Sequence, residues 1–132
     1  MEIMNLCPHP VTVYDAPPWR GGVSRQVRSW PASESPARVI MIARWDHARS
    51  AAFGVPIRKL RVEEVQGLPP YNPNCAYIVS ALVLAAVRRS RRTSSDLLTP
   101  GPSVKDSSGK QIGCMGLYYG GSNPIPEPES DI

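Results

Sequence analysis

Four arginines within five positions, Arg88, Arg89, Arg91 and Arg92, are the densest concentration of reactive chemistry in this chain of 132 residues. A guanidinium is always charged, and its planar fork of donors matches phosphate or carboxylate oxygens two at a time. The cluster therefore points to a polyanion or an acidic protein surface as ligand. The competing role is a solvated helix end, where cations favour the dipole. No aromatic residue lies inside the cluster, which counts against single-stranded nucleic acid stacked on side chains. His9, set between Pro8 and Pro10, is a further binding candidate. A lone histidine in that setting serves more readily to fix the chain's entry into a strand.

Catalytic signatures are missing. Ser80 stands between an apolar run and a helical pattern, but its neighbours Val79 and Ala81 lack the glycines of a nucleophile elbow. Its oxygen is better suited to capping the helix that follows. Cys7, Cys75 and Cys114 are far apart, and neither they nor His9 and His47 have metal-ligand spacing. A cysteine nucleophile, Cys75 or Cys114 with a histidine base, stays open only as an alternative. Gly21-Gly22 and Gly120-Gly121 lack the spacing of a phosphate loop. Glu63 and Glu64 would point to opposite faces of a strand, so they make no acid–base pair. The expectation is a protein that is not an enzyme and needs no cofactor or metal.

Composition sets the frame. Proline accounts for 15 residues, about twice the usual share, and aromatics for only 7%. The core must come from Val, Ile, Leu and Ala, and much of the chain must be irregular. The net charge is +4, and the last ten residues carry Glu127, Glu129 and Asp131 and no base, so the remainder is more basic than the whole. Such a surface attracts nucleotides, nucleic acids or acidic proteins. The N-terminus lacks a basic region followed by an apolar run, and the longest apolar stretch, Ala76 to Val87, is too short to span a bilayer. With three unpaired-looking cysteines, this predicts a cytoplasmic protein with no membrane association.

The elements that must position these groups read as α+β: a small antiparallel sheet with one short buried helix and long proline-rich loops. Strands are expected at Val11–Tyr14, Arg38–Arg44, Ile57–Val65 and Ala76–Val79, with a weak one near Val23–Val27. Arg38–Arg44 is apolar on both faces and reads as a central strand. Trp45–Gly54 fits either a helical turn or a loop. Ala81–Arg89 is helical and apolar nearly all round, which predicts burial on several sides. Leu97–Gly101 reads as a turn. Ser103–Lys105 and Lys110–Cys114 form a hairpin closed at Gly109. The domain expectation is one globular unit over 1–121 and an acidic, proline-rich disordered tail over 122–132.

Several segments together resemble a family of small uncharacterised bacteriophage and prophage proteins. They are Asn5-Leu6 with Pro8-His9, Glu64-Val65 with Gly67-Leu68-Pro69, Tyr77 to Val83, Pro100-Gly101, Val104-Lys105-Asp106 with Gly109, and Ile112-Gly113-Cys114 with Gly116-Leu117. The resemblance covers mainly the C-terminal half and aligns Met4 with the usual start, making residues 1–3 an extension. In place of a short Arg-x-Asp piece this chain has a longer arm, Arg92 to Asp96. The resemblance implies a phage accessory protein that inhibits bacterial antiviral defence by binding, in the manner of an anti-CRISPR. Its partner would be a host defence complex such as a CRISPR effector, with a homo-oligomer possible. The alternatives it leaves are a sponge for an anionic signalling nucleotide, a cysteine-dependent enzyme and a minor virion protein.

Overall fold

A computed structural model of the chain describes residues 1–15 and 25–121; the tail expectation over 122–132, and Val23 and Ser24 of the weak strand, lie outside the described residues. Among the described residues, ten strands and two helices follow one another: β1 (Glu2–Asn5), β2 (Val11–Tyr14), β3 (Gln26–Trp30), β4 (Arg38–Trp45), α1 (His47–Phe53), β5 (Arg58–Gln66), β6 (Cys75–Ile78), α2 (Ala81–Arg88), β7 (Leu97–Pro100), β8 (Ser103–Lys105), β9 (Gln111–Met115) and β10 (Leu117–Tyr119). The class is α+β.

The expected single antiparallel sheet is corrected to three small ones. Their orders are β1-β6-β7-β10, β3-β2-β9-β8 and the pair β4-β5. Pairing is mixed: β1, β6 and β7 run parallel, as do β2 and β9, while the other neighbours are antiparallel. A parallel neighbour needs a crossover, and α2 supplies it between β6 and β7. The first residues belong to the sheet, because β1 pairs with β6 from Glu2 to Asn5. Leu97–Pro100 is a strand and not a turn: Leu97 and Leu98 align with Tyr77 and Ile78, and proline at the strand's last position removes no needed donor.

Strand β6 is buried on both faces, and the alternation of its side chains divides the interior. Tyr77 and Val79 point to a cluster with Val83, Leu84 and Val87 of α2, Leu97, Leu6 and Ala37. Ile78 points the other way, to Cys7, Val11, Trp30 and Cys114. The Trp30 indole N–H donates to the Ile3 carbonyl at 3.0 Å, which ties the second sheet to the edge of the first. The predicted hairpin forms. Gly109 adopts φ 85°, and the Asp106 carboxylate accepts from the backbone N–H groups of Ser108 and Lys110.

The largest departure from expectation is β4. It is not central. Among the described residues it pairs with β5 alone, as a two-stranded ribbon with α1 across its tip. Asp46 caps α1 by accepting from Arg49 N, and Gly54 ends it at φ 72°. None of the residues of α1 is buried. A second helix therefore replaces the single one expected, and it folds on local bonds: Ser50 Oγ donates to Asp46 O and accepts from Ile57 N.

The ribbon has two unlike faces. Cross-strand partners share a face. Val39 lies opposite Val65, Met41 opposite Val62, Ala43 opposite Leu60 and Trp45 opposite Arg58. On the reverse face Ile40 lies opposite Glu64, Ile42 opposite Arg61 and Arg44 opposite Lys59. Glu63 is skipped between Glu64 and Val62, a one-residue bulge that keeps the apolar residues of β5 on a single face. Val39 and Val65 pack against the core, which anchors the base of the ribbon.

Candidate functional site

Helix α2 starts as its sequence predicts. Ser80 is the N-cap, and its oxygen accepts from Val83 N at 3.2 Å. Val83, Leu84, Ala86 and Val87 are buried. The expectation of burial on several sides fails at Leu82, which is 53% exposed. Leu82 and Ala86 instead face the apolar side of the ribbon across an open groove of about 570 Å³. Met41, Leu60, Val62 and Val65 supply its opposite wall. Arg61, Glu63 and Glu64 run along the β5 edge, and Arg89 and Ser90 close the end where α2 stops. Leu60 is 66% exposed and Met41 37%. The groove is thus an apolar trough with a mixed-charge rim, the usual make-up of a surface that binds another protein.

The four arginines are divided by the structure. Arg89 lines the groove. Arg91 is exposed beside it in sequence. Arg88 donates from Nε to Gly120 O at 3.3 Å and from Nη2 to Gly121 O at 3.4 Å, so it holds the strand-end that follows β10. Arg92 turns inward. Its Nη1 and Nη2 donate to Asp96 Oδ1 and Oδ2 at 2.9 and 2.7 Å, and the same nitrogens reach Thr93 O and Pro69 O. Asp96 is 4% exposed. That ion pair clips the proline-rich loop after β5 to the segment leading into β7.

His9 is not brought to the arginines. It lies in a separate shallow hollow with Thr12, Gln111 and Gly113, its Nδ1 3.0 Å from Pro10 O. Its carbonyl accepts from Asn5 Nδ2, which also donates to Pro31 O. The histidine segment is therefore part of a local brace at the start of β2.

The cysteines are placed for packing. Burial pushes the Cys7 thiol up to about 11, and raises that of Cys114 as well. Their sulfurs face the carbonyls of Ile78 and Thr12. Cys75 is half-buried at the start of β6. Among the described residues, no three His, Cys, Asp or Glu side chains gather so as to hold a metal ion. No helix among them is long and apolar enough to cross a membrane.

Compared with protein-family profiles, curated proteins and solved structures, the chain matches none. What the sequence reading missed is the apolar half of the site: Leu60, Val62 and Leu82. A signal was present. Leu82 heads a helix that is apolar all round, and Leu60 and Val62 alternate with Lys59, Arg61 and Glu63 on a strand whose polar side was already evident.

Proposed function

We propose that this is a non-catalytic binding protein that seats an apolar segment of a partner protein in the groove between α2 and the β4–β5 ribbon. The observation that carries the reading is the exposure of Leu60 and Leu82 on facing walls of one trough. Two large aliphatic side chains more than half open to water, with roughly 1–2 kcal/mol each still to gain on burial, are a standing driving force for association. Arg89 at one end and Glu63 and Glu64 along the edge give the polar rim that sets orientation.

The resemblance to phage accessory proteins supplies the setting. In it, the protein inhibits antiviral defence by covering a functional surface of a host complex, a CRISPR effector being the type of target intended. A nucleotide sponge has less support, because Arg88 and Arg92 already donate to carbonyls and to Asp96. Cysteine chemistry has less support, because raised thiol pKa values at Cys7 and Cys114 deplete the thiolate.

The test is phage plaquing on a host carrying a CRISPR effector, with the protein expressed from a plasmid. The wild type restores plaquing. Leu60→Glu/Leu82→Glu loses that protection while retaining the wild-type melting temperature, since both residues lie at the surface. Protection equal to wild type in the double variant would remove the groove from the mechanism.

A further inference from the structure

The reverse face of the ribbon carries a second feature, which shares only Arg61 and Glu64 with the rim of the groove. Arg44 and Lys59 lie directly opposite each other on adjacent strands. Like charges in that position destabilise a strand pair. Here the pair sits near the end of a two-stranded ribbon with no third strand beside it among the described residues. Arg61, the next residue of β5 on that face, extends the row. All three are exposed.

Near the tip of the ribbon little neutralises them, while Glu63 and Glu64 follow Arg61 towards the base. Between Arg44 and Arg61 there are five cationic residues, Arg44, Arg49, Arg58, Lys59 and Arg61, and one acid, Asp46. Asp46 is already bonded to Arg49, accepting from its backbone N–H at 2.9 Å and from Nη1 at 2.8 Å. Arg58 lies on the other face, over the Trp45 ring at 5.3 Å. Glu64 is on the cationic face but towards the base, beyond the bulge, where it accepts from Gln66 Nε2.

From this geometry we infer that the Arg44–Lys59–Arg61 face of the ribbon binds the phosphate backbone of duplex DNA, with the ribbon entering the major groove. An eight-residue strand extends about 25 Å, and the major groove, about 12 Å wide, admits a two-stranded ribbon. Phosphates on the groove wall would relieve the repulsion between Arg44 and Lys59, so the same pair that weakens the free ribbon favours the bound one. The deep, narrow major groove of A-form RNA does not admit such a ribbon.

The experiment is fluorescence anisotropy with a labelled 20-base-pair DNA of random sequence, titrated at several salt concentrations. The wild-type affinity is expected to fall with salt with a log–log slope of about −3, one unit for each of the three cations. Arg44→Glu lowers affinity at least about tenfold, yet holds or raises the melting temperature, because the new carboxylate faces Lys59 across the strands and attracts it. Arg91→Glu, an equal change of net charge elsewhere, alters affinity less than about twofold. Binding unchanged in Arg44→Glu, an equal loss in Arg91→Glu, or equal affinity for an RNA duplex of the same sequence would each overturn the inference.

Discussion

Arg92 grips Asp96 through two parallel hydrogen bonds, 2.9 and 2.7 Å long, with the aspartate side chain 1% exposed. The pair is four residues apart but lies in no helix. It closes the segment between α2 and β7, and through Pro69 O it fastens a second loop. Removing one partner of such a pair leaves a buried charge with nothing to balance it. Arg92→Ala should therefore lower stability by roughly 3–5 kcal/mol. Arg92→Lys should recover little, since one ammonium cannot bridge two oxygens and two carbonyls with the same geometry. Chemical denaturation of the two variants checks this; an Arg92→Ala protein as stable as wild type would show the pair to be dispensable.

Cys7 links stability to alkaline pH. In the unfolded chain its thiol ionises near 9.0, and in the folded protein near 11. The folded state thus holds a proton that the unfolded chain releases. The associated stabilisation is complete below pH 9.0 and is lost as pH rises to about 11. A difference of that size corresponds to roughly 3 kcal/mol. Burial raises Tyr77 in the same sense, so some slope remains without the cysteine. Urea unfolding from about pH 8 to about pH 10.5, a range that brackets the start of this loss, should show a flatter decline in Cys7→Ala than in wild type, although the variant starts from a lower value.

Gly113 permits the close approach of β9 to β2. A methyl group there would lie 2.5 Å from Thr12 O and 2.7 Å from the Tyr14 ring. The ring is the end of a side chain, but the carbonyl belongs to the paired backbone. Gly113→Ala should cost about 1–3 kcal/mol, the range for overpacking a fitted interior. Gly109→Ala meets no atom, and its penalty comes only from the positive φ. Thermal melts of the two variants separate crowding from conformational strain.

The ribbon should be the first part of the fold to open. Val39 and Val65 anchor its base, while α1 at its tip has no buried residue. Two-stranded ribbons without further packing are marginal in water. Hydrogen exchange should accordingly grade along it, slowest at Val39 and Val65 and fastest at Trp45 and Arg58. Protection at the tip equal to that of β6 would mean that another surface covers it.

Local signals in the chain are read with good accuracy. Ser80 announces the start of α2, Gly109 the hairpin, and Val11–Tyr14 its strand, because capping, positive φ and alternation are properties of neighbouring residues. Pairing is less legible. Leu97–Pro100 carries a proline and reads as a turn, yet it is held by Tyr77 and Ile78, which lie far back in the chain on the other side of α2. Arg38–Arg44 is apolar on both faces and reads as interior. It is half-exposed because one face looks across the groove and the other carries Ile40 and Ile42 among charges. The arginine cluster is visible in the sequence, but its division into groove, strand-end and internal clip depends on Asp96, Gly120 and Gly121 being where the fold puts them. The spacing of Leu60, Val62 and Val65 held a clue to the ribbon, since the step from two to three marks the bulge.

That extra residue is one the two faces of the ribbon have to absorb. Strand side chains have a parity, and Glu63 would shift it by one if it were paired. In regular alternation through Glu63, with Val65 kept on the core, Arg61 and Lys59 would turn into the trough and Leu60 and Val62 onto the opposite side. The bulge sets Glu63 aside, so deleting that one codon would leave every cross-strand partner in place and remove only the irregularity. The apolar and cationic faces are written in one strand as two interleaved messages, and the bulge at one glutamate keeps them in frame.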